Sequence, residues 1–306
     1  TDEESDDVER SYVKKEAVGS GTEDSIKNYS TDQLKSMLDD AIHKEDYEKA
    51  IKPTLSLEVF HNFTLMHDDI MDASPLRRGL PTVHKKWDEA TAILSGDAML
   101  VHAYGLMARD PRVLATFGKY ALEVCQGQQA DMEFERRAEV SEAEYMAMIR
   151  RKTAVLLSCA LEVGALRAGA AAADVERIGA FGAHLGLAFQ LKDDLLDAFG
   201  DPALTGKQRG GDLMEGKRTL LLIRALAWSD ANGDGTLRRE LARPADERDL
   251  QEMLAVLERS GAKADAERAV ADEESRALRA LEAVDTPAER KVGLHALYLR
   301  LSGRRS

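Results

Sequence analysis

From residue 54 onward the chain repeats one pattern of apolar and polar positions. Apolar side chains recur every three to four residues, which places them on one face of an α-helix, and no segment alternates long enough to predict a β-strand. Helix-start signals separate several stretches, such as Asp110-Pro111 and the capping-box spacing of Ser141 and Glu144. The pattern predicts an all-α protein with helices over 54–73, 88–108, 111–136, 142–169, 172–199, 212–228, 246–259, 263–283 and 287–302.

The N-terminal end follows a different pattern. Residues 1–30 lack apolar periodicity and are rich in Asp, Glu, Ser and Gly, so we predict an acidic, disordered tail there. An amphipathic helix is predicted within 31–53, and a single helical bundle over 54–306. All seven prolines, including Pro53, are expected between helices or at a first turn, because proline breaks a helix interior.

Composition narrows the class of protein. Residues 1–50 contain 15 acidic and 7 basic side chains and so contribute −8 to the net charge of −13. The mildly acidic remainder argues against nucleic-acid binding, which needs a basic face. Cys125 and Cys159 lie in apolar surroundings and predict a reduced, cytoplasmic protein without a structural disulfide. Because no signal peptide and no membrane-length apolar stretch are visible, neither secretion nor a membrane span is expected.

Two matched aspartate clusters carry the candidate chemistry. Asp68-Asp69-Ile70-Met71-Asp72 and Asp193-Asp194-Leu195-Leu196-Asp197 each follow an apolar run late in a predicted helix. The first and last aspartates of each cluster share a helix face, where like charges repel unless something compensates them. Mg²⁺ binds one or two carboxylates together with substrate phosphates. Two such faces across a bundle predict Mg²⁺ ions that bridge a diphosphate.

Basic residues accompany both clusters. Arg77 and Arg78 follow the first cluster on a predicted loop, and Lys207 and Lys217 follow the second within the Gly-rich segment 206–216. Arginine offers a planar fork to phosphate oxygens and lysine a point charge. These positions fit diphosphate binding, although any one of them also fits an ordinary surface base.

The chain resembles the trans-isoprenyl diphosphate synthases, the family of geranyl, farnesyl and geranylgeranyl diphosphate synthases. The resemblance covers about residues 54–302 and implies an all-α bundle of the isoprenyl synthase type around a central cavity, usually as a homodimer. Its matching segments are EVFHNFTLMHDDIMDASPLRRGLPTVH (58–84), ILSGDAML (93–100), GQQADMEFE (127–135), RKTAVLL (151–157), GLAFQLKDDLLDAFGD (186–201) and GKQRGGDLMEGKRTLLL (206–222).

The resemblance also implies the roles of individual residues. Asp68, Asp72 and Asp193 are expected to bind Mg²⁺, with Asp69 and Asp197 in support. The isopentenyl diphosphate contacts are expected to be His61 and Arg78. The implied allylic diphosphate contacts are Arg77, Lys152, Thr153, Gln190, Lys207 and Lys217. The residues expected to act in catalysis are Asp68, Asp72, Arg77, Lys152, Asp193 and Lys207.

The implied reaction is a head-to-tail condensation. Mg²⁺ and fixed cations stabilise the charge that develops on the leaving diphosphate. The isopentenyl double bond then attacks the allylic cation, and a proton is lost to the departing diphosphate. In this family the product grows along the first aspartate helix, where Phe63 stands five residues before Asp68. A large ring there resembles the short-chain pattern, so we expect a C20 product first and C15 second.

The N-terminal region departs from the family. The family's Gly-Gly-Lys-x-x-Arg-Pro motif, whose Lys and Arg hold isopentenyl diphosphate, is not found in the sequence. Residues 31–50 instead resemble a short interaction motif of bacterial nucleotide-excision-repair subunits, or form a helix that packs on the bundle. We therefore expect weakened isopentenyl diphosphate binding, since each lost charged hydrogen bond costs about 1.5–3 kcal/mol.

Two other functions compete with the synthase. The chain could be a non-catalytic, synthase-like binding or interaction subunit, but such a role would not require the second aspartate cluster. It could also be a terpene cyclase, which shares the bundle and the first aspartate motif. Cyclases usually carry an Asn/Ser/Glu metal motif at the second site, and Asp193-Asp194-Leu195-Leu196-Asp197 differs from it.

Overall fold

The structure is a computed structural model that describes residues 45–201 and 209–303, with side chains from residue 51. The chain divides into two units, Thr1–Ile51 and Lys52–Ser306, and apart from the start of the first helix every feature below belongs to the second. The predicted tail over 1–30, most of the predicted helix within 31–53, and Lys207 lie outside the described residues.

The described residues confirm the all-α prediction. Long helices dominate, and the β-structure consists of an antiparallel hairpin of two-residue strands. In chain order the elements are α1 (Glu45–Met71), β1 (Leu76–Arg77), β2 (Leu80–Pro81), α2 (Val83–Lys86), α3 (Glu89–Met107), α4 (Pro111–Glu135), α5 (Glu142–Ile149), a π-helical segment (Arg150–Ala154), α6 (Val155–Arg167), α7 (Ala172–Phe199), α8 (Gly211–Glu215), α9 (Leu220–Asn232), α10 (Thr236–Leu241), a 3₁₀ turn (Ala245–Glu247), α11 (Leu250–Arg259), α12 (Ala262–Glu282) and α13 (Ala288–Ser302).

Four predicted helices were wrong in detail. The helix predicted to start at residue 54 begins at Glu45. The prediction for 142–169 missed the π-helical break, and the prediction for 212–228 missed the turn at Gly216, whose φ of +77° ends α8. The 3₁₀ turn occupies the start of the helix predicted over 246–259. Pro53 was placed between helices, but it lies buried inside α1, where one main-chain donor is lost. The short helix α10 was not predicted.

Glycines on α7 let that helix approach its neighbours closely. A Cβ on Gly182 would lie 2.8 Å from the Ser158 backbone, and one on Gly186 would lie 2.5 Å from the Ala154 Cα. Real Cβ atoms do not pack at such distances, so these positions require glycine. The contact brings the π-helical segment against the half of α7 that leads to the second aspartate cluster.

Three apolar clusters form the core. One joins α1, α3, α4 and α6 around Phe60 and Phe117, whose rings meet edge to face at 5.2 Å. A second joins the C-terminal halves of α4 and α7 to α5 and to helices α8–α12. The third packs α7 against α12 and α13. The Ser56 hydroxyl donates a 2.7 Å hydrogen bond to the Ala103 carbonyl and so ties α1 to α3.

Candidate active site

The β1–β2 hairpin places the side chain of Arg77 against the first aspartate cluster. Arg78 and Gly79 form its two-residue loop, and both have positive φ (+52° and +78°), as in type I′ hairpin turns. The tight turn lets the Arg77 Nε lie 2.8 and 2.9 Å from the two carboxylate oxygens of Asp69. Arg77 Nη2 lies 3.4 Å from an Asp68 oxygen. Asp69 is buried, so its charge is paired as a buried charge must be.

Lys152 projects from the π-helical segment to the same cluster. Its Nζ lies 2.6 Å from Asp131 Oδ2 on α4 and 3.3 Å from Asp68 Oδ1. Burial lowers the pKa of Lys152, but Asp131 and Asp68 outweigh that effect, and the net pKa is raised. Gly127 allows this approach, since a Cβ there would lie 2.2 Å from the Lys152 main-chain nitrogen. A π-helical interruption of this kind is frequent at functional sites.

Thr153, the next residue, faces the second cluster. Its hydroxyl donates a 2.9 Å hydrogen bond to Gln190 Oε1, and Gln190 Nε2 donates a 3.0 Å bond to Asp194 Oδ1. The Tyr145 hydroxyl donates to the other Asp194 oxygen. Burial raises the pKa of Asp194 to about 8, against the effect of these two hydrogen bonds. Lys152 and Thr153 therefore connect the first aspartate cluster to the second.

The short helix α8 lies against Asp197, the last aspartate of the second cluster. Asp197 Oδ2 accepts a 3.1 Å hydrogen bond from the Asp212 main-chain N–H. Lys217 Nζ lies 3.3 Å from Asp212 Oδ1 and 3.1 Å from Glu215 Oε2. Burial opposes the ammonium charge, but Asp212, Glu215 and Asp72 raise the pKa of Lys217. Asp72, which follows the end of α1, thus interacts electrostatically with Lys217, which follows the end of α8.

The carboxylates of the first cluster suit a divalent cation. Burial, followed by repulsion from Asp68, raises the pKa of Asp72 to about 6. Asp68 Oδ1 is buried and accepts no hydrogen bond, although Lys152 lies nearby. Within residues 51–201 and 209–303, no three carboxylate, histidine or cysteine side chains surround one point. Carboxylates are the side chains that suit Mg²⁺, which usually takes one or two of them and completes its shell with water and phosphate oxygens.

Two further predicted site residues lie on α1 below the aspartates. Burial lowers the pKa of His61, and the neighbouring charges of Arg78 and Arg77 lower it further, against the effect of Glu58. His61 and Arg78, both predicted to contact isopentenyl diphosphate, therefore interact electrostatically. Phe63 is buried, and its ring centroid lies 5.6 Å from that of Phe60 in the cluster under the site.

The sequence analysis did not predict three residues of this site, Asp131, Tyr145 and Asp212, and it gave Asp194 no role of its own within the second aspartate cluster. Asp131 pairs with Lys152, and Tyr145 and Asp194 continue the hydrogen bonds from Thr153. Asp212 holds both Lys217 and Asp197. Asp131 and Asp212 stand inside the matching segments GQQADMEFE and GKQRGGDLMEGKRTLLL, which was the available signal, whereas nothing in the sequence marks Tyr145.

The bundle, with its two carboxylate clusters linked through Lys152 and Thr153, has the all-α fold of the isoprenyl synthases. A family model described as polyprenyl synthetase matches residues 26–257. The chain belongs to the polyprenyl synthetase family.

Individual relatives agree with this assignment. The chain is 45% identical over 178 residues to a geranylgeranyl diphosphate synthase of Methanosarcina mazei, covering 56% of this chain and 55% of the relative. It is 42% identical over 207 residues to a (2E,6E)-farnesyl diphosphate synthase of Mycobacterium bovis, covering 66% and 56%. The chain thus spans little more than half the length of these curated relatives. The structure of a geranylgeranyl pyrophosphate synthetase from Pyrococcus horikoshii matches with a TM-score of 0.77 at 32% identity, covering 84% of this chain and 80% of that one.

In the part of the chain that the structure describes, no helix is both long and apolar enough to span a membrane. Cys125 and Cys159 are both free.

Proposed function

We propose that this protein condenses isopentenyl diphosphate with an allylic diphosphate, head to tail, to give a short-chain trans-prenyl diphosphate. The observation that carries the proposal is the placement of two consecutive residues. Lys152 reaches Asp68 in the first aspartate cluster, and Thr153 reaches Asp194 in the second through Gln190. A diphosphate between the clusters would meet cations from both sides. The similarity to geranylgeranyl and farnesyl diphosphate synthases supports the same function.

The proposed chemistry is assigned to the chain's own cations. Arg77, Lys152 and Lys217, together with Lys207, bind the allylic diphosphate and stabilise the negative charge that grows on it as the allylic C–O bond breaks. Asp68, Asp72 and Asp193, supported by Asp69 and Asp197, would hold Mg²⁺. When bound, Mg²⁺ supplies Lewis-acid stabilisation of the same leaving group. His61 and Arg78 hold isopentenyl diphosphate, whose double bond attacks the allylic cation, and the proton released goes to the departing diphosphate.

Phe63 is proposed to limit the length of the product. Its ring lies between Phe60 and His67 on α1, at centroid distances of 5.6 and 4.7 Å, and helps to close the apolar cluster beneath the aspartates. We expect a C20 product and, second, a C15 product. Phe63→Ala should lengthen the product, whereas Phe63→Tyr should not. Products of equal length from both variants and the wild type would contradict the proposal that Phe63 limits product length.

The protein is further proposed to be a homodimer. Leu94 and Val101 on α3 are 68% and 72% exposed and lie two turns apart on one helix face, with Ile93 and Tyr104 beside them. Leu122 on α4 is exposed as well. Apolar groups clustered in this way mark interaction surfaces. A second copy of the chain is the proposed partner, which agrees with the usual state of the family.

The test of the proposed function must separate catalysis from binding, since a non-catalytic binding subunit remains the competing function. Purified protein is incubated with labelled isopentenyl diphosphate and dimethylallyl, geranyl or farnesyl diphosphate, with Mg²⁺ or with a chelator. The synthase gives longer prenyl products only with Mg²⁺, and Asp68→Asn and Asp193→Asn abolish them. Mg²⁺-dependent binding of geranyl diphosphate without elongation would establish the binding subunit instead. A raised KM for isopentenyl diphosphate alone would support the impairment predicted from the N-terminal sequence.

A further inference from the structure

A tyrosine buried in the apolar core is hydrogen-bonded to the second aspartate cluster. Tyr145 on α5 is 2% exposed, and its hydroxyl donates a hydrogen bond to Oδ2 of Asp194, which is 5% exposed. Tyr145 belongs to the large core cluster together with Leu187 and Leu191. Neither Tyr145 nor Asp194 carries a role in the reaction described above. Such a buried polar pair needs every donor and acceptor satisfied, because an unmatched group is costly there.

The hydrogen bonds continue from Asp194 toward the diphosphate site. Asp194 Oδ1 accepts from Gln190 Nε2 at 3.0 Å, and Gln190 Oε1 accepts from the Thr153 hydroxyl at 2.9 Å. The two ends of an amide differ, since the NH₂ only donates and the oxygen only accepts. Asp194 therefore fixes the amide of Gln190 with its oxygen toward Thr153. Tyr145 holds the other Asp194 oxygen and so fixes the carboxylate itself.

The outer end of this hydrogen-bond chain lies beside the residues proposed to bind the allylic diphosphate. Thr153 adjoins Lys152, and both stand on the π-helical segment, whose backbone contacts Gly127. The Lys152 ammonium lies between Asp131 and Asp68. A change at Tyr145 would therefore be transmitted through Asp194 and Gln190 to the position of Thr153.

We infer that Tyr145 is a positioning residue for the allylic diphosphate. It acts through Asp194 and Gln190, which hold the Thr153 hydroxyl and the Gln190 amide in one arrangement before the substrate binds. Side chains held in advance lose less freedom on binding, so affinity falls when their support is removed. This inference rests on the proposed function for the identity of the ligand.

The test compares Tyr145→Phe with Tyr120→Phe as a matched control. Tyr120 is also a buried tyrosine, and its hydroxyl donates a 2.6 Å hydrogen bond to Glu162 in the other large apolar cluster, away from the diphosphate site. Tyr145→Phe should raise the KM for geranyl diphosphate by up to about tenfold, the upper end of the effect of losing one buried hydrogen bond. The KM for isopentenyl diphosphate should stay unchanged. Both variants lose one buried hydrogen bond, so each should lower Tm by a similar amount. Tyr120→Phe should leave both KM values unchanged. Equal KM values for geranyl diphosphate in the two variants would overturn the inference.

The connection through Gln190 is tested by repeating the comparison in a Gln190→Met background. Methionine keeps the length of the side chain and removes both of its hydrogen bonds. In that background Tyr145→Phe should not change the KM further, whereas an equal further increase would show that Tyr145 acts by another route.

Equilibrium binding of geranyl diphosphate with Mg²⁺, measured by calorimetry, separates this inference from the proposed function. A wild-type protein that binds without turnover would contradict the proposed function, and the ratio of Kd values between Tyr145→Phe and Tyr120→Phe would still decide the inference. A wild-type protein that does not bind geranyl diphosphate would contradict both.

Discussion

The ammonium nitrogen of Lys152 lies 3.3 Å from Oδ1 of Asp68 and 2.6 Å from Oδ2 of Asp131, so one lysine joins α1, α4 and the π-helical segment. Lys152→Met should therefore lower kcat/KM for the allylic diphosphate by about 10- to 150-fold, the range for one lost charged hydrogen bond. Steady-state kinetics at saturating isopentenyl diphosphate measures this effect. Lys119→Met removes a lysine from α4 that lies against the Tyr120 ring, and it should leave kcat/KM unchanged. Equal kcat/KM values in the two variants would contradict a role of Lys152 in binding the allylic diphosphate.

Gly127 determines how closely α4 approaches the π-helical segment. Gly127→Ala would place a Cβ 2.2 Å from the Lys152 main-chain nitrogen and so displace that segment. We expect a loss of about 1–3 kcal/mol in the free energy of unfolding, as for other overpacked contacts, together with reduced activity. Gly164→Ala on α6 meets no atom within 4 Å and serves as the control. Urea unfolding and activity assays on both variants check the prediction, and a fully active, equally stable Gly127→Ala would refute it.

The exposed face of α3 should control assembly. Leu94→Asp combined with Val101→Asp places two charges on that face and should convert the proposed dimer into a monomer, measured by light scattering after size exclusion. Val292→Asp on α13 replaces an equally apolar and exposed side chain elsewhere and should not change the mass. If the protein with both substitutions still has the mass of a dimer, the interface must lie on another surface.

Stability at acid pH should depend on Glu240. Its carboxylate accepts a 2.9 Å hydrogen bond from the Asp249 main-chain N–H and pairs with Arg243 and Arg239, which lowers its pKa from an ordinary 4.5 to about 2. A group whose pKa is lower in the folded protein stabilises the fold above its unfolded pKa. This contribution is therefore complete above about pH 4.5 and is lost as the pH falls toward 2.

Denaturant unfolding at several pH values tests this expectation. Glu240→Gln should be less stable than the wild type at pH 7, and the difference should shrink between pH 4.5 and 2. Glu267→Gln, on the exposed side of α12, should follow the wild-type profile. A difference between Glu240→Gln and the wild type that stays constant across that range would contradict the assigned cause.

Long helices with clear punctuation were predictable from the sequence. The helix predicted over 172–199 matches α7, and the one over 111–136 matches α4 to within a residue, because apolar periodicity and the Asp110-Pro111 start define them. The π-helical break could not be predicted, since Arg150–Ala154 contains neither proline nor glycine. It lies where Gly127 and Gly186 on neighbouring helices meet it, and such tertiary contacts leave no local pattern.

Charge and motif together were enough to name candidate site residues, whose roles stay predictions. Of the candidate cations, Arg77 and Lys152 lie against the first aspartate cluster, and Lys217 lies against Asp212 beside α8. The different surroundings of the aspartates within each cluster were not predictable, because tertiary packing buries Asp69 against Arg77 and Asp194 against Tyr145 and Gln190. The pairing of Arg77 with Asp69 depends on a hairpin turn with positive φ at Arg78, which a non-glycine residue rarely adopts.

The most direct test of the proposed synthase activity is the stoichiometry of the reaction. Purified protein is supplied with geranyl diphosphate, labelled isopentenyl diphosphate and Mg²⁺, and released inorganic diphosphate is measured together with labelled prenyl product. The account predicts one inorganic diphosphate for each isopentenyl unit added, with products ending at C20, or at C15 as the second expectation. Release of diphosphate without incorporation of isopentenyl units, or neither above the level of Asp68→Asn, would contradict it.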